Sequence, residues 1–172
     1  AYDLGERVAI IGMGNSAMDV ARTVIRHGAR EVTLYARGLA SNASEHETAY
    51  ARLDGAAFEF GKQIAEITDD GPVFENILYD EEGNQTGVDE KMEQIYADST
   101  IISISQGPKS KLVNTTEGLK ASPNGLLMTD ENGQTTIPGI FASGDVVLGA
   151  RTVVEAAAYS KVVAEAMDEY MR

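Results

Sequence analysis

The sequence contains no cysteine and no tryptophan among its 172 residues, and it has only two histidines. Without cysteine the chain can form no disulfide, no thiolate metal site and no redox-active Cys-x-x-Cys pair, and two histidines are too few for a His-rich metal site. No apolar run approaches the ~18 residues that a transmembrane helix requires. The absence of cysteine favours a cytoplasmic protein. The N-terminal segment resembles neither a signal nor a transit peptide. It also lacks an initiator Met and enters its first predicted strand almost immediately, which indicates an excised or processed segment.

Basic residues are scarce as well. The chain has 14 Lys and Arg against 27 Asp and Glu, and its formal net charge at pH 7 is −13. This surplus of negative charge argues against nucleic acid and against anionic membrane surfaces as partners. A phosphate-rich cofactor would therefore have to be held by local backbone dipoles and by a few well-placed cations.

The most informative segment, Val8–Ala17, is an apolar run that ends in a glycine turn and leads directly into helix-forming residues. A strand, a tight turn and a helix N-terminus in this order present free backbone N–H groups to a pyrophosphate. Gly12 permits the turn, Gly14 lets the phosphates approach the backbone, and the small Ala17 keeps helix and strand close. The alternative is a strand–helix turn of the same kind that binds no ligand. The predicted cradle is Gly12, Gly14, Asn15, Ser16 and Ala17.

The segment up to Ile104 predicts an α/β domain of the Rossmann type, in which a parallel sheet is followed by an antiparallel meander. The predicted strands of the parallel part are Arg7–Ile11, Val32–Tyr35 and Ala57–Phe60, and the predicted helices are Ser16–His27 and a second one capped by Ser44 that runs to Leu53. The later strands are Ile64–Thr68, Val73–Tyr79, Lys91–Tyr96 and Thr100–Ile104.

A domain boundary is predicted near Ser105–Lys109, and it divides the chain into residues 1–105 and 106–172. The second part is loop-rich, with short strands near Leu126–Met128 and Gly139–Ala142 and a closing helix over Thr152–Met171. It offers little material for a core of its own. We expect the closing helix to bury Val153, Val154, Ala157, Ala158, Val162 and Met167.

The end of the second strand predicts the choice of nicotinamide cofactor. An NAD site places Asp or Glu there for the ribose 2′-hydroxyl, whereas an NADP site places Arg against the 2′-phosphate. Here Tyr35-Ala36 leads to Arg37 and Gly38, with no acidic residue. Because a guanidinium can bind a phosphate with two hydrogen bonds, Arg37 favours NADPH over NADH. The alternative is that Arg37 is a solvated loop residue.

Three motifs occur in a fixed order: Gly12–Asp19 (GMGNSAMD), Ile104–Pro108 (ISQGP) and Gly139–Val146 (GIFASGDV). With them the chain resembles the pyridine-nucleotide-dependent flavin oxidoreductases, most closely the small subunit of NADPH-dependent glutamate synthase and its relatives. In that family a nicotinamide domain is inserted into a flavin domain. The resemblance implies that residues 1–105 are the nicotinamide domain and that residues 106–172 are the returning C-terminal segment of the flavin domain. The first half of the flavin domain is absent, so the chain would be a fragment or one piece of a split protein.

The resemblance also implies contacts to FAD. Asp145 would bind the ribityl chain, the backbone N–H of Val146 would meet a phosphate oxygen, and the helix start at Thr152-Val153 would face the pyrimidine edge of the flavin, where a helix dipole stabilises negative charge. The alternative for Gly144-Asp145 is an ordinary turn between strand and helix. The remaining cofactor-binding residues that the resemblance implies are Gln106, Gly144, Asp145, Val146, Thr152 and Val153.

The function implied by the resemblance is electron transfer from NADPH through FAD to an acceptor such as an iron–sulfur subunit. No residue of the chain is then needed as an acid, a base or a nucleophile, because the flavin carries out the transfer and the protein orients it. We expect the fragment alone to be inactive without the missing N-terminal half of the flavin domain. The alternative is a non-catalytic dinucleotide-binding sensor or regulatory module, which would have no use for a flavin contact at Gly144-Asp145.

Overall fold

The computed structural model describes residues 3–172. They divide into two compact units, of which the first ends at Ser105 and the second is Gln106–Arg172. The strands are β1 (Arg7–Ile11), β2 (Glu31–Tyr35), β3 (Ala57–Glu59), β4 (Lys62–Thr68), β5 (Gly71–Tyr79), β6 (Gln85–Gln94) and β7 (Ser99–Ile102). The helices are α1 (Asn15–Arg26), α2 (Glu45–Leu53), α3 (Lys111–Thr115), α4 (Asp145–Leu148) and α5 (Val153–Met171).

The first unit is built on a parallel four-stranded sheet with the order β3-β2-β1-β7. The apolar residues that follow Arg7 in β1 are all buried, as expected for a central strand that is covered on both faces. Ile11, the last residue of β1, lies opposite Tyr35 in β2 and opposite Ile102 in β7. This register brings the carboxyl ends of the strands to one edge of the sheet.

Helix α1 covers one face of the sheet. Ala17 and Met18 are fully buried and pack against Ile10 in the same apolar cluster. Helix α2 lies beside α1, and the two are joined by an ion pair in which Arg22 Nε is 3.0 Å from an oxygen of Asp54. The small side chain of Ala17 thus permits the close packing of helix and strand that the sequence predicts.

An antiparallel meander with the order β4-β5-β6 covers the other face. Its fully buried residue Phe74 stacks on Tyr35, with ring centroids 4.6 Å apart, and forms a cluster with Ala9 and Ile11 of β1. The α/β fold expected from the sequence, a parallel sheet followed by an antiparallel meander, is therefore confirmed.

Some strand boundaries differ from the prediction. Strand β6 begins at Gln85, not at Lys91, and β7 ends at Ile102. Apolar alternation does not predict the early part of β6, because this part lies at the edge of the meander and carries exposed polar residues. The two short strands predicted in the second unit are reduced to isolated bridges, such as the one between Ala121 and Leu127.

Helix α5 buries different side chains from those predicted. The covered side chains are Val163, which retains only 4% of its accessible surface, and the half-buried Ala156, Tyr159 and Ala166. Periodicity finds apolar positions on a helix, but it does not reveal which of its faces has neighbours, so the prediction was wrong. The exposed residues of that prediction are Val153, Val154, Ala157, Ala158, Val162 and Met167. Among residues 3–172, no helix combines the length and the apolar character needed to cross a membrane.

Candidate functional site

The candidate site lies at the carboxyl edge of the parallel sheet. From β1 the sheet extends to β2 on one side and to β7 on the other, so the strand order reverses next to β1. In open α/β sheets, ligands bind in the crevice outside the carboxyl ends of the strands at such a reversal. The glycine turn and the start of α1 occupy this position.

Gly12 is required by the backbone itself. Its φ of +126° lies in the region that residues with a Cβ avoid, and its N–H donates to the Tyr35 carbonyl at 2.9 Å. A Cβ at this position would lie 2.2 Å from the carbonyl oxygen of Ser103, immediately after β7. The close approach of two chain segments therefore explains Gly12 whether or not a ligand binds.

Gly14 has no such structural reason. Its φ of −91° and ψ of 179° are extended backbone that any residue adopts, and a Cβ there would meet no atom within 4 Å. Gly14 is the N-cap of α1, and no side chain caps this helix end. Open space in front of uncapped helix amides is the geometry that a pyrophosphate needs, so the residues present fit a dinucleotide phosphate.

The first turn of α1 presents the remaining residues of the predicted cradle. Asn15 and Ser16 are the first two helical residues and both are exposed. Their N–H groups have no intrahelical acceptor, as at the start of any helix. The first turn carries no acidic side chain that would repel an anion. Helix-terminal amides of this kind contribute about 0.3–1 kcal/mol to the binding of a nearby anion in exposed settings.

The loop after β2 packs against the glycine turn. The carbonyl of Met13 accepts hydrogen bonds from Ser41 Oγ at 3.0 Å and from the N–H of Asn42 at 3.1 Å. The side-chain oxygen of Asn15 accepts the N–H of Ser44 at 2.8 Å, and Ser44 in turn caps α2. The side-chain oxygen of Asn15 thus connects α1 to the start of α2.

Arg37 lies at the same edge, two residues after the end of β2, and it is exposed. Within residues 3–172 its guanidinium forms no ion pair and no hydrogen bond. Its carbonyl oxygen accepts a hydrogen bond from the hydroxyl of Tyr79 in the meander. A positive charge that is not neutralised by the protein is therefore held at the edge that carries the glycine turn.

The second unit brings the second group of predicted residues together. Gly144 has a φ of +74°, and a Cβ there would lie 4.0 Å from Ala156 of α5. Asp145 begins α4, is exposed, and accepts the N–H of Arg151 at 3.4 Å. Val146 follows in α4, and its carbonyl accepts the N–H of Leu127 at 2.8 Å. Gln106 lies in an exposed loop at the start of this unit.

The N-terminus of α5 is capped by side chains of the chain itself. Thr152 is the N-cap and forms a reciprocal capping box with Glu155, and Val153 is the first helical residue. Hydrogen bonds from Thr152, together with Arg151 Nη1 at 2.9 Å, lower the pKa of Glu155 to about 2. A carboxylate of the chain itself thus interacts with the helix end at which the sequence predicts a flavin contact.

Several residues of these sites were not identified by the sequence analysis. The capping box could have been found, because Thr152-x-x-Glu155 is its sequence signature. The contacts of Ser41 and Ser103 join segments that are distant in the chain, and no local pattern indicates them.

A sequence model of the family described as pyridine nucleotide-disulphide oxidoreductase matches residues 1–161. The chain belongs to this family of oxidoreductases. Similar members include the beta subunit of an NADP(+)-dependent formate dehydrogenase from Moorella thermoacetica, which is 31% identical over 98% of this chain and 25% of its own length. The small chain of glutamate synthase [NADPH] from Halomonas elongata is 33% identical over 97% of this chain and 39% of its own length. This chain therefore spans about a quarter to two fifths of these two relatives.

Two solved structures share the fold of this chain. The thioredoxin reductase of T. acidophilum superposes with a TM-score of 0.76 at 20% identity, over 98% of this chain and 54% of the other. The thioredoxin reductase of Lactococcus lactis gives a TM-score of 0.71 at 23% identity, over 95% and 52% of the two chains. The expected membership of the pyridine-nucleotide oxidoreductases, with similarity to glutamate synthase small chains, is confirmed.

Proposed function

We propose that the first unit binds NADPH at the glycine turn and that the chain is part of an FAD-containing oxidoreductase that passes electrons from NADPH to an acceptor. The observation that carries the proposal is the open space at Gly14. A glycine without a conformational reason stands there before the uncapped amides of α1. The close approach of a phosphate would explain why this position is a glycine, since the backbone conformation does not require one.

The preference for NADPH is supported by Arg37. Its guanidinium is exposed, has no ion-pair partner within residues 3–172, and follows β2 at the edge where the ribose of a bound dinucleotide would lie. The names of the relatives do not decide the question. They include the NADPH-specified glutamate synthase small chain and an NAD-dependent dihydropyrimidine dehydrogenase subunit from Escherichia coli O157:H7. The proposed preference for NADPH therefore rests on Arg37 at the end of β2 in this chain.

The second unit is proposed to contribute to an FAD site through Gly144, Asp145 and Val146 and through the helix start at Thr152 and Val153. When bound, FAD would accept a hydride equivalent from NADPH and release electrons to the next carrier. The chain's own residues would orient the two cofactors. The carboxylate of Asp145 is exposed and accepts only the N–H of Arg151 among the described residues, so it can accept a further hydrogen bond.

An N-terminal half of the flavin domain is the proposed first partner, in the same chain or in another one. Helix α5 supports this, because Val153 and Val154 retain 85% and 78% of their accessible surface. Apolar side chains exposed together on a helix indicate a surface that another segment covers. An iron–sulfur or other acceptor subunit in the cytoplasm is the proposed second partner, since one relative is named a beta subunit and the other a small chain.

The proposal is tested on the natural full-length protein by absorption spectroscopy and by titration with NADPH and NADH. We expect flavin absorption bands and tighter binding of NADPH. Arg37→Ala should weaken NADPH at least tenfold and leave NADH within about twofold, because a hydrogen-bonded charge pair is worth about 1.5–3 kcal/mol. Arg30→Ala is the control, since Arg30 is also an exposed arginine but lies at the opposite end of β2, 3.5 Å from Glu6.

Two results would count against the proposal. Equal losses of NADPH and NADH binding in Arg37→Ala would remove the assigned role of the guanidinium. A colourless full-length protein that still binds NADPH would instead support the sensor or regulatory module, because such a module does not need flavin.

A further inference from the structure

The segment that carries Arg37 is held from one side by the meander. The carbonyl of Ala36 accepts the N–H of Lys62 at 2.9 Å, and the carbonyl of Gly38 accepts the N–H of Gly61 at 3.3 Å. The carbonyl of Arg37, between them, accepts the hydroxyl of Tyr79. Three successive carbonyl groups therefore have partners in the segment that leads into the meander or in the meander itself.

The other polar groups of this segment have no such partners. Within residues 3–172, the N–H groups of Arg37, Gly38 and Leu39 donate to no protein acceptor, and neither does the Arg37 guanidinium. The carbonyls are bound and the donors are unpaired, so the segment offers hydrogen-bond donors and positive charge to an anion. The direction in which these donors point depends on the three hydrogen bonds that the carbonyl groups accept.

Tyr79 makes the one contact of the three that comes from a side chain, and it reaches Arg37 across 42 residues of sequence. Its place is fixed by the sheet. Tyr79 ends β5 opposite Gln85 of β6, and its ring lies 3.7 Å from the position of a Cβ on Gly61. The hydroxyl is therefore carried by a strand residue, and its removal would take away one of the three hydrogen bonds that hold this segment, the one at Arg37 itself.

We propose that Tyr79 is a positioning residue for cofactor specificity: its hydroxyl holds the Arg37 backbone where the guanidinium can meet the 2′-phosphate of NADPH. This inference rests on the proposed function. A guanidinium binds a phosphate with two hydrogen bonds only in a defined orientation, and a backbone fixed beforehand reduces the entropy lost on binding. NADH lacks the 2′-phosphate, so its binding does not depend on this contact.

The test compares Tyr79→Phe, Arg37→Ala and the double variant in the natural full-length protein. The probes are NADPH and NADH, together with 2′,5′-ADP and 5′-AMP, which differ in the 2′-phosphate. We expect Tyr79→Phe to weaken NADPH and 2′,5′-ADP about three- to tenfold, the range for one lost hydrogen bond, with NADH and 5′-AMP unchanged within about twofold. The double variant should bind no more weakly than Arg37→Ala alone, because both changes remove the same interaction.

Tyr96→Phe is the matched control, since Tyr96 is 64% exposed and its hydroxyl has no partner within residues 3–172. If Arg37→Ala discriminates between the cofactors but Tyr79→Phe does not, or if Tyr79→Phe weakens both cofactors equally, the inference is wrong and the proposed function stands. If Arg37→Ala itself fails to discriminate, the proposed role of Arg37 in the preference for NADPH and this inference are both overturned. Thermal unfolding of each variant separates a local effect from loss of the fold.

Discussion

The carbonyl oxygen of Ser103 lies 2.2 Å from the position that a Cβ on Gly12 would occupy. Ser103 follows β7 and donates its own N–H to the carbonyl of Ile11 at 2.8 Å, so the two strands stay paired up to the glycine turn. Any larger residue at position 12 would force these strands apart. Gly12 is in this sense part of the sheet as well as part of the predicted cradle.

We therefore predict that Gly12→Ala destabilises the first unit. The added Cβ meets backbone atoms that cannot move independently, and the φ of +126° is strained for alanine. Together these effects should lower the free energy of unfolding by about 2–4 kcal/mol. Urea denaturation followed by circular dichroism measures this change. Unaltered stability would show that the segment after β7 is not held next to the turn.

Gly14→Val, in contrast, should abolish cofactor binding and leave the stability of the first unit nearly unchanged. Its backbone is extended and its surroundings are open, so valine fits without strain, but the branched side chain fills the space proposed for the pyrophosphate. We predict loss of both NADPH and NADH binding in calorimetric titrations, with the free energy of unfolding changed by less than about 1 kcal/mol. Gly87→Val is the matched control, because Gly87 in β6 also has nothing within 4 Å of its Cβ position. Binding at the wild-type affinity in Gly14→Val would place the cofactor elsewhere.

Much of the first unit could be predicted because its signals are local. Strand β1 has the predicted bounds, and α1 begins one residue before the predicted start. The side chain of Ser44 accepts the N–H of Glu47, as its capping pattern predicts. Apolar alternation, glycine and capping residues act within a few positions of one another, so a sequence records them directly.

The remaining features depend on contacts between distant segments. The hydroxyl of Tyr79 meets the Arg37 carbonyl only because the meander covers the sheet, and the two residues are 42 positions apart in sequence. The covered face of α5 contains Tyr159 and Val163, whereas the more conspicuous pair Val153-Val154 is exposed. A sequence pattern shows which residues are apolar, but the neighbours that cover them are set by the tertiary fold.

Ser41 should stabilise the loop after β2 against the glycine turn. Its hydroxyl donates to the Met13 carbonyl at 3.0 Å, and its oxygen accepts the N–H of Ala43 at 3.1 Å and the hydroxyl of Thr48 at 3.2 Å. Ser41→Ala should lower the free energy of unfolding by about 1–2 kcal/mol, because partly buried partners lose their hydrogen bonds. Ser105→Ala, at an exposed serine, is the control. Thermal unfolding checks the effect, and equal behaviour of the two variants would contradict it.

The capping box of α5 predicts a pH dependence of stability. The pKa of Glu155 is lowered from 4.5 to about 2 by hydrogen bonds from Thr152 and Arg151. A carboxyl group whose pKa is depressed on folding stabilises the folded state at pH values above its unfolded pKa. This stabilisation should therefore be complete above about pH 4.5 and should disappear as the pH falls towards 2.

Glu155→Gln tests this dependence, because glutamine keeps the shape of the capping residue and removes its charge. We expect the difference in unfolding midpoint between the wild type and this variant to be largest at neutral pH and to shrink steadily between pH 4.5 and about pH 2. Glu165→Gln, at an exposed position of the same helix, should show no such trend. High salt should reduce the effect, since the carboxylate of Glu155 is solvent-exposed. A difference that stays constant across the pH range would mean that the charge of Glu155 does not stabilise the start of α5.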